Sequence, residues 1–209
     1  MAERAPLAPR PGRSPALSIG VLASQGDFAA HARMLSAIGA DAVEVRTAAE
    51  LERVAALVIP GGESTTISKA IERDDLAGPI RAHVAAGKPI LGTCAGMIVC
   101  DRDHLGLVDA VARRNAFGRQ LASFEADLEV SGLGPEPVRA VFIRAPWIEE
   151  AGPGVEILAE IDGHPVAVRE GRIVLVAFHP ELADDPRLHA LLMALAQAPE
   201  PAHLEEDRR

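Results

Sequence analysis

The chain has 209 residues, 48% of them hydrophobic, 24% charged and only 3% aromatic, with a formal net charge of −9. That length suits one α/β domain with a core of Val, Ile, Leu and Ala. The acidic balance disfavours a nucleic-acid partner, which needs a clustered basic surface. No apolar run reaches the ~18–20 residues that span a bilayer, so no membrane role is expected.

In chain order, residues 1–16 hold four Pro and three Arg and no apolar stretch. They read as a disordered leader rather than a signal peptide. Leu17–Ala23 reads as a buried first strand. Phe28–Ile38 has helical spacing, with Asp27 as N-cap, Gly39 as stop, and Phe28, Ala32, Leu35 and Ile38 on one side. Ala42–Val45 is a brief strand, Ala48–Arg53 a short helix, and Ala55–Ile59 a strand that stops at Pro60-Gly61-Gly62. Thr65–Glu72 and Leu76–Ala86 read as helices and Pro89–Gly92 as a strand. This alternation predicts a three-layer α/β fold, a mostly parallel sheet with helices on both faces.

The second half changes character. Ala126–Val130, Val138–Ile143, Val155–Ile161, Pro165–Arg169 and Ile173–Phe178 are strand-like, with tight antiparallel hairpins at Gly163 and Gly171. Asp184–Ala196 reads as a closing helix with Leu188, Leu191, Leu192 and Leu195 inward. Residues 17–197 form the expected single domain, and 198–209 a polar tail.

The chemistry centres on Cys94. Gly92 and Gly96 flank it, just after a strand and just before a helix-competent segment, which is a nucleophile elbow built on a thiol. A helix N-terminus facing the sulfur favours a reactive thiolate. The other cysteine, Cys100, has no glycine frame and reads as an inert buried thiol. Two thiols this close in an apolar segment fit a reducing cytosol, and their spacing is not a zinc pattern.

A thiolate nucleophile needs a base that later protonates the leaving amine. Of seven His, His31, His83, His104 and His189 read as bland helix-face or loop residues. His179 differs, because it follows a strand end, where α/β sites form. Pro180 should keep the segment extended, so that Glu181, two residues on, points the same way and orients the imidazole. Alone, a surface His and Glu would be the plainer account; beside the Cys94 elbow, the catalytic one is preferred. The N–H groups of Gly62 and Ala95 could form an oxyanion hole. A plain glycine turn is the alternative there, and the pattern of a phosphate-binding loop is absent.

Taken together, these stretches resemble the class I, triad-type glutamine amidotransferases. More narrowly, they are similar to the glutaminase subunits of pyridoxal 5'-phosphate synthase. The matching strings are Gly20-Val-Leu-Ala-Ser-Gln-Gly-Asp-Phe28 with His31, Met34 and Leu35; Pro60-Gly-Gly-Glu-Ser-Thr-Thr66; Pro89-Ile-Leu-Gly-Thr-Cys-Ala-Gly-Met97; Arg114-Asn-Ala-Phe-Gly-Arg-Gln120 with Ser123-Phe-Glu125; Phe142-Ile-Arg-Ala-Pro146; and Phe178-His-Pro-Glu-Leu182. The resemblance implies Cys94 as nucleophile, His179 as base and acid, and Glu181 as orienting carboxylate. It also implies a glutamine pocket from Gly62, Glu63, Ser64, Arg114, Ile143 and Arg144, with Gln25 adjacent to the site. The arginines suit a substrate α-carboxylate, which Arg grips through paired donors.

The implied reaction is hydrolysis of L-glutamine to glutamate and ammonia, without metal or organic cofactor. The implied partner is a pyridoxal 5'-phosphate synthase (lyase) subunit in a large cytoplasmic hetero-oligomer, whose docking raises a weak intrinsic activity. A thiol hydrolase acting on γ-glutamyl peptides and a non-catalytic docking subunit are the alternatives. The chain departs from the family pattern at Ser24, in a shorter stretch over Ile98–Leu107, and in its leader.

Overall fold

The computed structural model describes residues 16–118 and 123–199. The expected leader and tail therefore lie almost entirely outside the described residues. The central sheet has seven strands in the order β2-β1-β3-β4-β11-β10-β9. They are β1 (Ser18–Leu22), β2 (Asp41–Val45), β3 (Ala56–Ile59), β4 (Ile90–Thr93), β9 (Glu156–Ile161), β10 (His164–Glu170) and β11 (Ile173–Val176). Strands β2, β1, β3, β4 and β11 are mutually parallel. Strand β10 runs antiparallel to both β11 and β9.

β1, β3, β4 and β11 are short and almost wholly buried, as strands covered on both faces must be. Chain direction explains the cover. The β1-to-β2 crossover through α1 (Phe28–Ala37) runs toward one edge of the sheet. The later crossovers, through α2 (Ala48–Glu52), α3 (Ser64–Arg73) and α4 (Ala77–Ala85), run the other way. Right-handed crossovers of opposite sense put their helices on opposite faces. Accordingly α1 packs with the closing helix α6 (Arg187–Gln197), whereas α2 packs with α4, and α3 with α5 (Ala95–Cys100).

Both expected hairpins form, at Asp162-Gly163 and at Gly171, and all three residues have positive φ. Four local expectations need correction. A two-stranded ladder of β5 (Ala110–Arg113) with β8 (Trp147–Ala151) had no alternating pattern to betray it. β6 (Ser123–Leu128) spans residues earlier than the expected Ala126–Val130, because its register with β7 (Val138–Ile143) runs from the pair Ser123 and Ile143 to the pair Leu128 and Val138. The closing helix starts at Arg187, not Asp184: Asp184 has φ 56, and Pro186 sits at the cap.

The fourth correction concerns α1. Its buried stripe is Ala30, His31, Met34 and Leu35. Of the expected apolar side, only Leu35 is buried, while Phe28, Ala32 and Ile38 are half-exposed. The sequence pattern treated His31 as a polar residue for the outside. In the fold it is 0% exposed, because a polar partner awaits it beneath the helix.

Five of the six Phe and Trp residues gather in one place, Phe28 on α1 being the exception. Phe142 stacks on Phe124 at 4.6 Å, while Phe117 and Phe178 meet Phe142 edge-on at 5.7 and 5.6 Å. Trp147 adds a further edge contact to Phe117 at 5.2 Å. This cluster fastens the β6–β7 ladder over the end of β11 and so fixes what lies above the next residue, His179.

Candidate active site

Four strand ends converge at the carboxyl edge of the sheet. β1 leads to Gln25, β3 to Gly61-Gly62, β4 to Cys94, and β11 to His179. Ligand sites of open α/β sheets form at this edge. Cys94 stands between β4 and α5 with φ 48 and ψ −105, a backbone region that non-glycine residues occupy only under constraint. The flanking glycines supply that constraint. A Cβ on Gly96 would lie 2.1 Å from the Ile59 carbonyl oxygen, and one on Gly92 would lie 2.7 Å from Leu175. Only hydrogen fits at either position, so the tight strand-to-helix turn holds the sulfur at the sheet edge. The Cys94 Sγ lies 3.8 Å from the Ile143 carbonyl at the end of β7.

His179 donates from Nδ1 to Glu181 Oε1 at 2.7 Å, and its own backbone N–H is anchored on the Val141 carbonyl at 2.9 Å. The path from His179 to Glu181 differs from the expected extended one. Pro180–Leu182 is a single 3₁₀ turn with Pro180 in its first position. Proline opens a helical turn readily, since its fixed φ suits the turn and its missing N–H would have had no partner there. The turn tucks the Glu181 carboxylate, 1% exposed, under the imidazole.

Burial works against a charged imidazole here. Hydrogen bonds to Cys94 and Glu181 and their negative charges nevertheless push His179 up to about 10. Burial likewise opposes the charge on Glu181, yet the His179 hydrogen bond and the facing imidazoles hold its carboxyl below the usual range. Both shifts favour a charged imidazole on His179 facing an ionised Glu181. Cys100 is 0% exposed, and burial pushes its thiol far up, as befits an inert side chain.

The glycine loop is pinned from the side. Gln25 Oε1 accepts the Glu63 N–H at 2.9 Å, and a Cβ on Gly62 would lie 2.4 Å from that same oxygen. Gly62 has φ 145, open to glycine alone. Gly61 comes so close that a Cβ there would lie 2.5 Å from His179 Cε1. Ala95 opens α5, so its N–H has no partner within the helix.

One cleft of about 150 Å³ is lined by Gly62, Glu63, Ser64, Cys94, Ala95, Ile98, Arg114, Asn115, Ile143, Arg144 and Pro146. Every residue expected in the pocket lines it, as do Cys94 and Ala95, whereas His179 and Glu181 are not among its lining residues. Three lining residues were not anticipated: Ile98, Asn115 and Pro146. Asn115 follows Arg114 directly and has φ 47, a strained position that its place in the Asn-Ala-Phe-Gly string could have flagged.

Two pocket residues carry local duties as well. Glu63 caps α3, accepting the Thr66 N–H at 2.7 Å and the Thr65 N–H at 3.2 Å. Those bonds, with the Thr66 hydroxyl foremost, pull its carboxyl down to about 2. Arg114 donates to Glu63 Oε1 at 2.9 Å and to the Thr65 hydroxyl at 3.2 Å. Beyond the elbow, the short stretch after α5 is organised by Asp101, 1% exposed. Its Oδ1 accepts the Asp103 and His104 N–H groups at 3.0 and 3.1 Å, and its Oδ2 accepts the Ala112 N–H at 3.1 Å.

Among the described residues, no helix is long and apolar enough to cross a membrane. Residues 21–196 match the SNO glutamine amidotransferase family. The pyridoxal 5'-phosphate synthase subunit PdxT of Frankia alni is 52% identical over 189 residues, covering 86% of this chain and 95% of that protein. The subunit of the same name from Mycobacterium leprae is 51% identical over 187 residues, 84% of this chain and 94% of that one. Among solved structures, a crystal structure of a glutamine amidotransferase superposes with TM-score 0.82 at 45% identity, over 86% of this chain and 99% of the other.

Proposed function

The chain belongs to the SNO glutamine amidotransferase family and is a glutaminase; from that premise we propose that Cys94, His179 and Glu181 are its catalytic triad and that its ammonia feeds a pyridoxal 5'-phosphate synthase subunit. The observation that carries the triad is Cys94 at φ 48, beside an imidazole that is 2.7 Å from a buried carboxylate. The Cys94 sulfur attacks the side-chain amide carbon of L-glutamine as a thiolate. The Gly62 and Ala95 N–H groups stabilise the resulting oxyanion. The imidazolium of His179 gives its proton to the amide nitrogen, and ammonia departs as the γ-glutamyl thioester forms. Neutral His179 then takes a proton from water, and the hydroxide attacks the thioester. Glutamate leaves, and the thiolate and imidazolium are restored. Glu181 keeps the imidazole in orientation throughout.

Arg114 and Arg144 give the cleft its positive charge for the substrate α-carboxylate, with Glu63, Ser64 and Ile143 as the remaining pocket wall. Replacing Arg114 by Met should raise KM for glutamine by about ten- to hundredfold while kcat changes much less. Lysine should rescue only in part, since it lacks the planar fork. Steady-state kinetics with both variants checks this, and an unchanged KM would remove Arg114 from the pocket.

The partner reading rests on the PdxT names of the relatives. It extends to a large cytoplasmic hetero-oligomer in which docking raises the activity. Gln25, pressed against the glycine loop, is the residue through which contact at that face would reach the oxyanion donors. The test is ammonia release from L-glutamine by the purified chain, alone and with the synthase subunit. Weak release alone and strong release with the subunit is the expected result. Equal release in both conditions overturns the partnership, and no release in either overturns the glutaminase assignment of this site.

A further inference from the structure

Behind the triad lies a polar chain that the reaction as written does not use. Glu181 Oε1 is occupied by His179, but Oε2 has no full hydrogen bond and faces His31 Nε2 at 3.3 Å, an oblique contact. The same His31 nitrogen lies 3.3 Å from the Thr93 hydroxyl oxygen, which itself accepts the Gly61 N–H at 3.0 Å. On its other side, His31 Nδ1 lies 2.9 Å from His189 Nε2. His31, Thr93 and His189 are all 0% exposed. One buried imidazole of α1 therefore touches the triad's carboxylate, the residue preceding the nucleophile, and a second imidazole of α6.

We propose that His31 is a positioning residue of the triad, held by His189 in the tautomer whose Nε2–H faces Glu181 and Thr93. This rests on the triad reading given above. Hydrogen-bond satisfaction selects the tautomer. Burial lowers the pKa of His31, and it lowers that of His189 to about 3, so both rings are neutral. With the proton on Nε2 of each, His189 donates to His31 Nδ1, and His31 Nε2–H is shared between Glu181 Oε2 and Thr93 Oγ1. This arrangement leaves the His189 Nδ1 lone pair and the Thr93 hydroxyl proton without partners. The opposite arrangement would let the Thr93 hydroxyl donate to His31 Nε2, but it would bury an unpaired N–H at His189 Nδ1 and aim that His31 lone pair at the Glu181 carboxylate 3.3 Å away, a repulsion that outweighs one hydroxyl bond.

The consequence reaches His179. An N–H dipole at Oε2 favours the ionised carboxylate, and that carboxylate favours the imidazolium. The charged and titratable groups around this chain are Asp27 before α1, Glu181 and His179 on the 3₁₀ turn, Asp185 and His189 by α6, and Cys94 on the elbow.

The test compares His31→Leu with His31→Gln, whose amide N–H can stand near the place of Nε2–H, in the complex with the synthase subunit. His31→Leu should lower kcat by about tenfold with KM within about twofold. It should also move the alkaline limb of the kcat profile about one pH unit toward neutrality, because His179 loses its proton sooner. His31→Gln should return that limb to the wild-type position. Leu without a shifted limb, or Gln as impaired as Leu, overturns the proposal, since a packing role predicts both. Should His31→Leu not fold, His189→Leu must move the limb in the same direction by less. The wild-type chain gives an independent readout: nitrogen-15 NMR should find His31 and His189 neutral and protonated on Nε2 at neutral pH. A charged His31, or one protonated on Nδ1, overturns the proposal whether or not glutamine is the substrate.

Discussion

Replacing Cys94 by Ala should lower ammonia release from L-glutamine at least about ten-thousandfold, with the synthase subunit present, and leave the thermal unfolding midpoint within a few degrees. The reason is chemical. Cys94 is the one thiol among the described residues of the cleft, the Ser64 hydroxyl in its wall is a far weaker nucleophile without a base beside it to activate it, and Cys100, the second thiol, is sealed in the core with its ionisation suppressed by burial. The fold should tolerate the change, because Ala keeps the Cβ that already exists at φ 48 and removes one sulfur whose contact is a long 3.8 Å approach to a carbonyl. The complementary measurement is mass spectrometry after treatment with an electrophilic glutamine analogue. A single adduct on Cys94 is expected and none on Cys100. Substantial turnover by Cys94→Ala, or labelling of Cys100 instead, would dismiss the nucleophile assignment.

Acid should unfold this protein through its buried histidines. His31, His83 and His189 are all pulled below the ordinary 6.5, chiefly by burial, His83 to about 4 and His189 to about 3. A group with a depressed folded-state pKa contributes stability above its unfolded pKa and loses it as pH falls toward the folded value. Here the unfolded chain takes up protons first, from about 6.5 downward, and stability drains until about pH 3 to 4. Those shifts correspond to about 3 kcal/mol for His83 and about 5 kcal/mol for His189 as upper bounds, a large part of the ~5–15 kcal/mol that holds a domain together.

His179 acts in the opposite window. Its raised value, about 10, adds stability below 6.5 that is lost as pH climbs toward 10. Denaturant titrations across pH should therefore give a stability maximum near neutrality, with the steeper fall on the acid side. His83→Gln should flatten the acid fall without touching catalysis, since His83 lines a groove between α2 and α4 on the face away from α1 and α6. A profile level from pH 7 to about pH 4 would show that these rings are not held neutral.

Much of the molecule was legible in the residue order because the signals are local. Short apolar runs give the parallel strands, and Pro60-Gly61-Gly62 marks where β3 stops. Asp27 caps α1 as read, accepting the Ala30 N–H at 3.2 Å. Asp162-Gly163 and Gly171 close hairpins because they accept positive φ. The Cys94 elbow was readable from the two glycines alone, since a sharp turn excludes side chains whatever surrounds it. Local reading failed where a residue's fate depends on a distant partner. The ladder of β5 with β8 lacks a pattern of its own, and the buried stripe of α1 was drawn one position wrong because a histidine was counted as polar.

What the sequence determined by itself is the parallel sheet, its turns and the nucleophile elbow, because backbone sterics and hydrophobic spacing act over a few residues. The tertiary structure alone decided that β7 lies over Cys94, that a 3₁₀ turn brings Glu181 beneath His179, that Glu63 holds Arg114, and that His31 meets His189 across 158 residues of chain. Apart from the 3₁₀ turn, those contacts join strand ends and helix faces far apart in sequence. A buried polar side chain finds its partner only once the sheet has closed and water has gone.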